Sequence, residues 1–145
     1  MTVVALKPKE SSLLEQKVNT LYEAAITQPQ IQCEEKHHFG PNIYIKEVTM
    51  PAGALIIGKP HRMEHLCNMV SGRMRILLED GTTQELVAPM TFMAKPGRKV
   101  AYIIETVVFQ NIYSTPETDI EKLENMCVDN STSIRGRQIR WHLLR

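Results

Sequence analysis

The stretch GRMRILLEDGTTQELVAP, residues 72–89, predicts a β-hairpin. Met74, Ile76 and Leu78 stand at alternate positions, which is the period of a half-buried strand. Asp80 and Gly81 form a tight-turn pair, because glycine accepts the positive φ that such turns require. We therefore expect an antiparallel strand pair near the middle of the chain.

The segments on either side of this hairpin have the same β character. Residues 43–48 alternate apolar and polar side chains, and residues 54–58 form a short apolar run that a glycine closes. Residues 99–114 are rich in Val, Ile, Tyr and Phe, which are favoured in strands. Turn signals recur about every 8–12 residues, a spacing typical of a β-sandwich or barrel.

The two ends of the chain have a helical pattern instead. Residues 11–27 carry an apolar stripe at helical spacing and a capping-box pattern, Ser12 with Glu15. Thr115 and Pro116 predict the start of a second helix, and a basic tail follows at residues 134–145. We therefore predict three parts: an N-terminal helix and linker (1–40), a β-barrel (41–114), and a C-terminal helix with the basic tail (115–145).

The composition indicates one soluble globular domain. The 145 residues are 43% hydrophobic and 23% charged, and the net charge of +1 makes nucleic acid an unlikely partner. No apolar run is long enough to span a bilayer, and the first residues make a poor signal peptide. The three cysteines, Cys33, Cys67 and Cys127, do not suggest a disulfide framework. These features predict a cytoplasmic protein without a membrane segment.

A pair of histidines interrupts the β-rich region in GKPHRMEHLCNMVSG, residues 58–72. His61, Glu64 and His65 match the H-x-x-E-H pattern of one class of zinc peptidases, whose helix places both imidazoles on one face. The neighbouring segments are predicted as strand and turn, so a peptidase helix is disfavoured here.

On a strand, these histidines would share a face with three other side chains, because alternate residues point the same way. Two imidazoles and a thiol inside a barrel would suit a divalent metal or a small ligand. The alternative, which the sequence leaves about equally open, is a hydrogen-bonded histidine pair that lines a filled barrel. The residues of the shared face are Lys59, His61, Met63, His65 and Cys67.

The spacing between His65 and Gly72 matches a known motif. In the first cupin motif a glycine lies seven positions after a glutamate. Gly72 lies seven positions after His65, so His65 stands where the motif has its glutamate. In that alignment His61 falls on the second histidine of the motif and Lys59 on the first, while Gly97 fits the glycine of the second motif. The chain therefore resembles a cupin. The resemblance implies a mainly β fold, a single double-stranded β-helix barrel with flanking N-terminal and C-terminal helices.

More narrowly, four segments in order are similar to the small single-domain cupins of tailed-phage genomes. They are GKPHRMEH (58–65), EDG (79–81), APMTFMAKPG (88–97) and VAYIIETVVFQNIY (100–113). The phage cupins tend to have one histidine at the position of Ile104 and another near Tyr113. This chain has neither, so its set of candidate metal-binding histidines is smaller than theirs. The resemblance implies a weakly held divalent metal (Zn, Fe, Ni or Mn) on His61 and His65.

Four further residues are candidates for a ligand site in the barrel. Lys59 could bind an anion, and Cys67 shares the predicted face of the histidines. Tyr102 could wall a pocket, and Glu105 could add a carboxylate if it points inward.

Two functions are consistent with these patterns. The first is a small binding module or enzyme that holds a divalent metal or a small ligand in the barrel. The second is a non-enzymatic accessory phage protein, virion-associated or directed at a host factor, with the barrel as a scaffold. This second function predicts host cytoplasm or virion as the location, and a phage or host protein as partner.

The basic tail is the predicted surface for such a partner. Trp and Arg are typical interface anchors, which makes Arg135, Arg137, Arg140 and Trp141 candidate contacts. The flanking helices and the apolar residues of the tail also predict a homo-oligomer, most simply a dimer.

Overall fold

The computed structural model describes residues 13–58, 61–128 and 139–142. This part of the chain contains two helices, α1 (Leu13–Ala25) and α2 (Ile120–Cys127), and eight strands. The strands are β1 (Glu34–Gly40), β2 (Ile43–Met50), β3 (Ala54–Ile57), β4 (His65–Leu77), β5 (Thr83–Val87), β6 (Met90–Ala94), β7 (Val100–Tyr113) and β8 (Ile139–His142). Each strand pair is antiparallel.

Two long strands, β4 and β7, organise the barrel. The first half of β4 lies between β6 and the second half of β7. The sheet then continues from β7 to β2 and β1. These strands form the first half-sheet. The second half of β4 lies between β5 and the first half of β7, and the sheet continues from β7 to β3 and β8. These strands form the second half-sheet. Within the described residues the sheet does not close on itself.

Gly72 allows β4 to bend between the two half-sheets. The β4–β7 register shifts three times between Met69 and Met74. Gly72 has a φ of +95°, and a Cβ atom there would overlap the backbone oxygen of Thr106 in β7. Glycine is therefore required at this bend, because it accepts positive φ and leaves room for the neighbouring strand.

The main core lies between the half-sheets, and a second cluster lies beneath α1. In the second cluster Tyr22 and Ala25 of α1 pack with Ile57 and Val100. The guanidinium of Arg98 lies 4.2 Å from the ring centroid of Tyr22, which adds a cation–π contact. The buried residues of the main core are Cys33, Val48, Met50, Ala54, Ile56, Met69, Met74, Leu86, Ile103 and Val107.

The structure confirms the mainly β barrel with flanking helices that the sequence predicts. The hairpin of residues 72–89 is formed by β4 and β5, and Gly81 in its turn has a φ of +86°. Strand β1 lies inside the segment predicted as helix and linker, and β8 lies inside the predicted tail. Six of the seven residues of β1 are exposed, so its sequence lacks the apolar alternation of a half-buried strand. None of the described helices is long and apolar enough to cross a membrane.

Candidate ligand site beneath helix α2

The structure brings His61 and His65 together at one end of the barrel. Their ring centroids are 4.5 Å apart, with a tilt of 33° between the rings. His65 is the first residue of β4 and is buried, whereas His61 precedes the strand in isolated bridges to Gly97 and Val128. The histidines therefore meet across a bend of the chain rather than along one continuous strand.

The predicted shared strand face holds only from His65 onward. Cys67 is buried on the same side as His65. Met63 is exposed, because residues 62–64 lie outside the strand, and this corrects its expected inward position. Lys59 lies outside the described residues.

Both ring nitrogens of His65 face oxygen atoms of the protein. Nε2 lies 2.8 Å from Oδ1 of Asn111, and Nδ1 lies 3.5 Å from the carbonyl oxygen of Met63. Since the amide oxygen of Asn111 only accepts hydrogen bonds, Nε2 of His65 carries the hydrogen and donates it. The thiol of Cys67 is directed at the same oxygen, with its sulfur 3.9 Å away.

His61 forms a neutral hydrogen-bonded pair with Tyr113. Its Nδ1 lies 3.2 Å from the Tyr113 hydroxyl. Burial, and then the neighbouring charges of His65 and Lys46, lower the pKa of His61 from 6.5 to about 4. Burial also raises the pKa of Tyr113 far above its usual range, so its hydroxyl stays protonated. At neutral pH both partners are uncharged.

Stacked aromatic rings extend from the histidines toward strand β1. The ring of Tyr113 lies 4.8 Å from that of His65, and the ring of Tyr44 lies 6.0 Å from that of Tyr113. The Tyr44 hydroxyl lies 2.7 Å from Nδ1 of His37. This stack fixes the orientation of the imidazoles from the side of β2 and β7.

Helix α2 closes this end of the barrel over the histidines. Asp119 caps the helix by accepting a hydrogen bond from the backbone N–H of Lys122 at 3.1 Å. Arg62 donates from its backbone N–H to the carbonyl of Cys127 and from Nε to the carbonyl of Val128, both at 3.0 Å. The helix is thus attached directly to the chain segment that follows His61.

A small cavity remains between α2 and the barrel. Its volume is about 60 Å³, which is enough for a few water molecules or a very small ligand. One wall is apolar and comes mainly from α2, and the other is polar and aromatic. The lining residues are Tyr44, Lys46, Val48, Gly58, His61, Asn111, Tyr113, Leu123, Glu124, Cys127 and Val128.

Comparison with known proteins identifies the architecture. No protein-family model matches the chain, and no curated protein matches it. Among solved structures, ectoine synthase from P. lautus is similar, with a TM-score of 0.55 and 10% identity over 77% of this chain and 80% of that one. The fold is cupin-like. At 10% identity the similarity extends to the fold alone.

Two further solved structures are similar over shorter parts. One is an RmlC-like cupin family protein with a double-stranded β-helix fold from Methanocaldococcus jannaschii, with a TM-score of 0.48, 11% identity, and coverage of 58% of this chain and 81% of that one. The other is oxalate decarboxylase from Lactobacillus farciminis, with a TM-score of 0.48, 13% identity, and coverage of 72% of this chain and 33% of that one.

The donor atoms of this site do not fit a tightly held divalent metal. Among the described residues, no group of three or more His, Cys, Asp or Glu side chains could hold an ion. His65 uses Nε2 as a donor to Asn111. Burial raises the pKa of Cys67 to about 12, so its thiol stays protonated, whereas metals bind the thiolate. A tight site needs three or more protein ligands, which the described part of the chain does not supply here.

The other predicted ligand residues lie elsewhere on the barrel. Tyr102 is in the first half of β7, opposite Leu55 and Arg75, in the second half-sheet. Glu105 is exposed, and its carboxylate lies 3.7 Å from Nε of Arg73. Neither side chain lies beside the histidines.

The predicted tail contacts fall partly within β8. Arg140 and Trp141 lie opposite Ile56 and Leu55 in the β3–β8 pair. Arg135 and Arg137 lie outside the described residues.

Sequence reasoning missed the residues that orient the two imidazoles. Asn111 and Tyr113 lie at alternate positions of β7, on the same side as the partly buried Phe109. Strand alternation counted forward from Phe109 would have placed both side chains in the barrel.

Proposed function

We propose that this chain is a small binding module that holds a small polar ligand in the cavity beneath α2. His61 would contact the ligand, and His65 with Asn111 would position the site. The observation that carries this proposal is that His61 lines the cavity as a neutral imidazole whose Nδ1 is bonded to Tyr113. No other described residue forms a hydrogen bond to its Nε2.

The His61–Tyr113 pair gives the site both polarities of hydrogen bond. The Tyr113 hydroxyl can donate to Nδ1 of His61, or it can accept from it. In the first case Nε2 carries the hydrogen and donates to a ligand, and in the second Nε2 accepts from one. The pair can therefore match a hydroxyl, an amide or a carbonyl group without a change of charge.

The charges at the cavity favour an uncharged ligand. The ammonium of Lys46 lies 3.7 Å from the carboxylate of Glu124, and both side chains line the cavity. These two opposite charges cancel, so little net charge is left for a ligand to neutralise. The cavity volume of about 60 Å³ limits the ligand to a few non-hydrogen atoms unless α2 moves.

A ligand-observed NMR screen of small alcohols, amides and carbonyl compounds tests this proposal. We expect binding to the wild-type chain and loss of it in His61→Ala. The matched control is His38→Ala, because His38 is exposed on β1 and should not affect the site. Equal binding by both variants would contradict the proposal.

Elemental analysis separates this proposal from a metal site. The chain would be incubated with zinc, iron, nickel and manganese, and the metal content then measured per chain. About one metal per chain, lost in His61→Ala/His65→Ala, would replace the polar-ligand proposal with the weak metal site that the resemblance implies.

A second candidate is the scaffold role, in which terminal segments contact a phage or host protein. It is favoured by His65, whose two nitrogens both face protein oxygens, as expected of a histidine that packs rather than binds. Deletion of residues 134–145 should then abolish function, while His61→Ala should leave it unchanged. The reverse pattern would exclude the scaffold role.

A further inference from the structure

The outer face of the first half-sheet carries a continuous row of apolar side chains. Strand pairing places Met93, Leu66, Ile112 and Ile45 side by side across β6, β4, β7 and β2, and His38 of β1 ends the row. Met93 is 56% exposed and Leu66 is 38% exposed. Side chains of this size in one row form a patch, which is unlike the scattered apolar residues of an ordinary surface.

A row of hydrogen-bonded polar side chains lies beside the apolar row. Thr91 donates to Oδ1 of Asn68 at 3.2 Å, and Asn68 donates from Nδ2 to Oε1 of Gln110 at 3.2 Å. Gln110 then donates from Nε2 to Oε1 of Glu47 at 2.9 Å. These side chains are already ordered, so a partner that packs on them causes little further loss of conformational entropy.

The two rows carry almost no net charge. Glu47 and Lys36 are of opposite sign and lie opposite each other in the β1–β2 pair. The carboxylate of Glu47 also lies 3.7 Å from Nε2 of His38. A face of this kind does not repel an identical face, whereas a patch of single sign would.

The size of the face is close to that of a small specific contact. If two copies pack with β4 of one over β7 of the other, the four strands β6, β4, β7 and β2 face one another; about 4.8 Å apart and about seven residues long, they give roughly 19 Å by 23 Å. Two such faces packed together would bury on the order of 900 Å², near the lower limit of about 1,000 Å² for a specific interface.

We propose that this face binds a second copy of the chain. The two copies are related by a two-fold axis that runs parallel to the strands, between β4 and β7. This axis places each row of one copy over the same row of the other. The apolar row then lies on the apolar row and the polar row on the polar row. Leu66 of one copy contacts Ile112 of the other, and Met93 contacts Ile45. An isologous dimer of this kind uses the same patch twice.

Sedimentation analysis of charged variants tests the dimer and its register. We expect the wild-type chain to be a dimer, and we expect Leu66→Asp and Ile112→Lys each to raise the dimer Kd by about 100-fold or more. When the two variants are mixed, a heterodimer should form. The dimer has two contacts between positions 66 and 112. In the heterodimer the introduced carboxylate of one chain faces the introduced ammonium of the other, and the second contact keeps the original Leu66 and Ile112. Such recovery on mixing also shows that both variants are folded.

Val87→Asp is the matched control. Val87 is 56% exposed on β5 in the second half-sheet, so its substitution should leave the dimer intact. A wild-type chain that stays monomeric at its highest soluble concentration would overturn the proposal and assign the face to another occupant. So would a dimer that persists in Leu66→Asp, or a pair of variants that does not recover on mixing.

Discussion

Asn111 holds the imidazole of His65 through a single amide oxygen, with Oδ1 of Asn111 and Nε2 of His65 2.8 Å apart. The same oxygen faces the thiol of Cys67. Because that oxygen can only accept, Asn111 determines which nitrogen of His65 carries the hydrogen.

The tautomer of His65 is therefore a testable property. We expect two-bond ¹H–¹⁵N correlation spectra at neutral pH to show hydrogen on Nε2 of His65. Asn111→Ala should remove this preference and cost about 1–3 kcal/mol of unfolding free energy, because a buried donor loses its partner. His37 serves as the internal control, since its contact with Tyr44 is unchanged. Hydrogen on Nδ1 in the wild-type chain would contradict the assignment.

The unfolding free energy should fall as the pH falls from 6.5 toward 4. The unfolded chain protonates His61 near pH 6.5, whereas the folded chain does so only near pH 4. Between these values the unfolded state binds the extra proton, so acid favours unfolding, by up to about 3 kcal/mol.

Urea titrations at pH 7.5, 5.5 and 4.5 check this dependence on pH. His61→Gln should remove most of the loss seen between pH 6.5 and 4, because glutamine does not titrate. His38→Gln should keep the loss, because His38 is exposed. An identical pH dependence in all three chains would rule out His61 as its source.

Gly72→Ala should destabilise the fold far more than Gly81→Ala. Both glycines have positive φ, +95° and +86°. A Cβ at position 72 would also overlap the backbone of Thr106, whereas position 81 has no atom within 4 Å. We expect about 3 kcal/mol or more for Gly72→Ala and about 1 kcal/mol for Gly81→Ala, measured by urea unfolding. Equal losses would mean that the bend in β4 can shift to make room.

Helix α2 should detach from the barrel when its buried contact is removed. Leu123 is 1% exposed and packs with Tyr44 and Tyr113 beneath the helix. Leu123→Ala should cost about 2–5 kcal/mol. It should also speed amide hydrogen exchange in residues 120–127. Ile120→Ala is the control, because Ile120 is 41% exposed and should change stability little. Unchanged exchange in Leu123→Ala would show that α2 is held mainly by Arg62.

Local pattern was sufficient to predict the elements that have one buried face. Met74 and Ile76 alternate on β4, and Asp80-Gly81 forms the turn, so the hairpin was predictable from the sequence. Strand β1 was missed, because an exposed edge strand has no apolar period.

The candidate site was predictable only in part. The spacing of His61 and His65 suggested a pair, and the rings do meet, but across a bend that the strand period did not indicate. Asn111 and Tyr113 come from a strand about 45 residues further on. Which distant strand supplies the partners of a histidine depends on tertiary pairing, which local propensity does not determine.

The sharing of β7 by both half-sheets has a consequence for synthesis on the ribosome. Strands β2, β3 and β4 all pair with β7, which ends at Tyr113. Until the second half of β7 leaves the exit tunnel, β2 and the first half of β4 lack that neighbour and expose unpaired edges. A nascent chain of this kind is prone to aggregation during that interval, so its yield in cells should depend on chaperones that bind before β7 emerges.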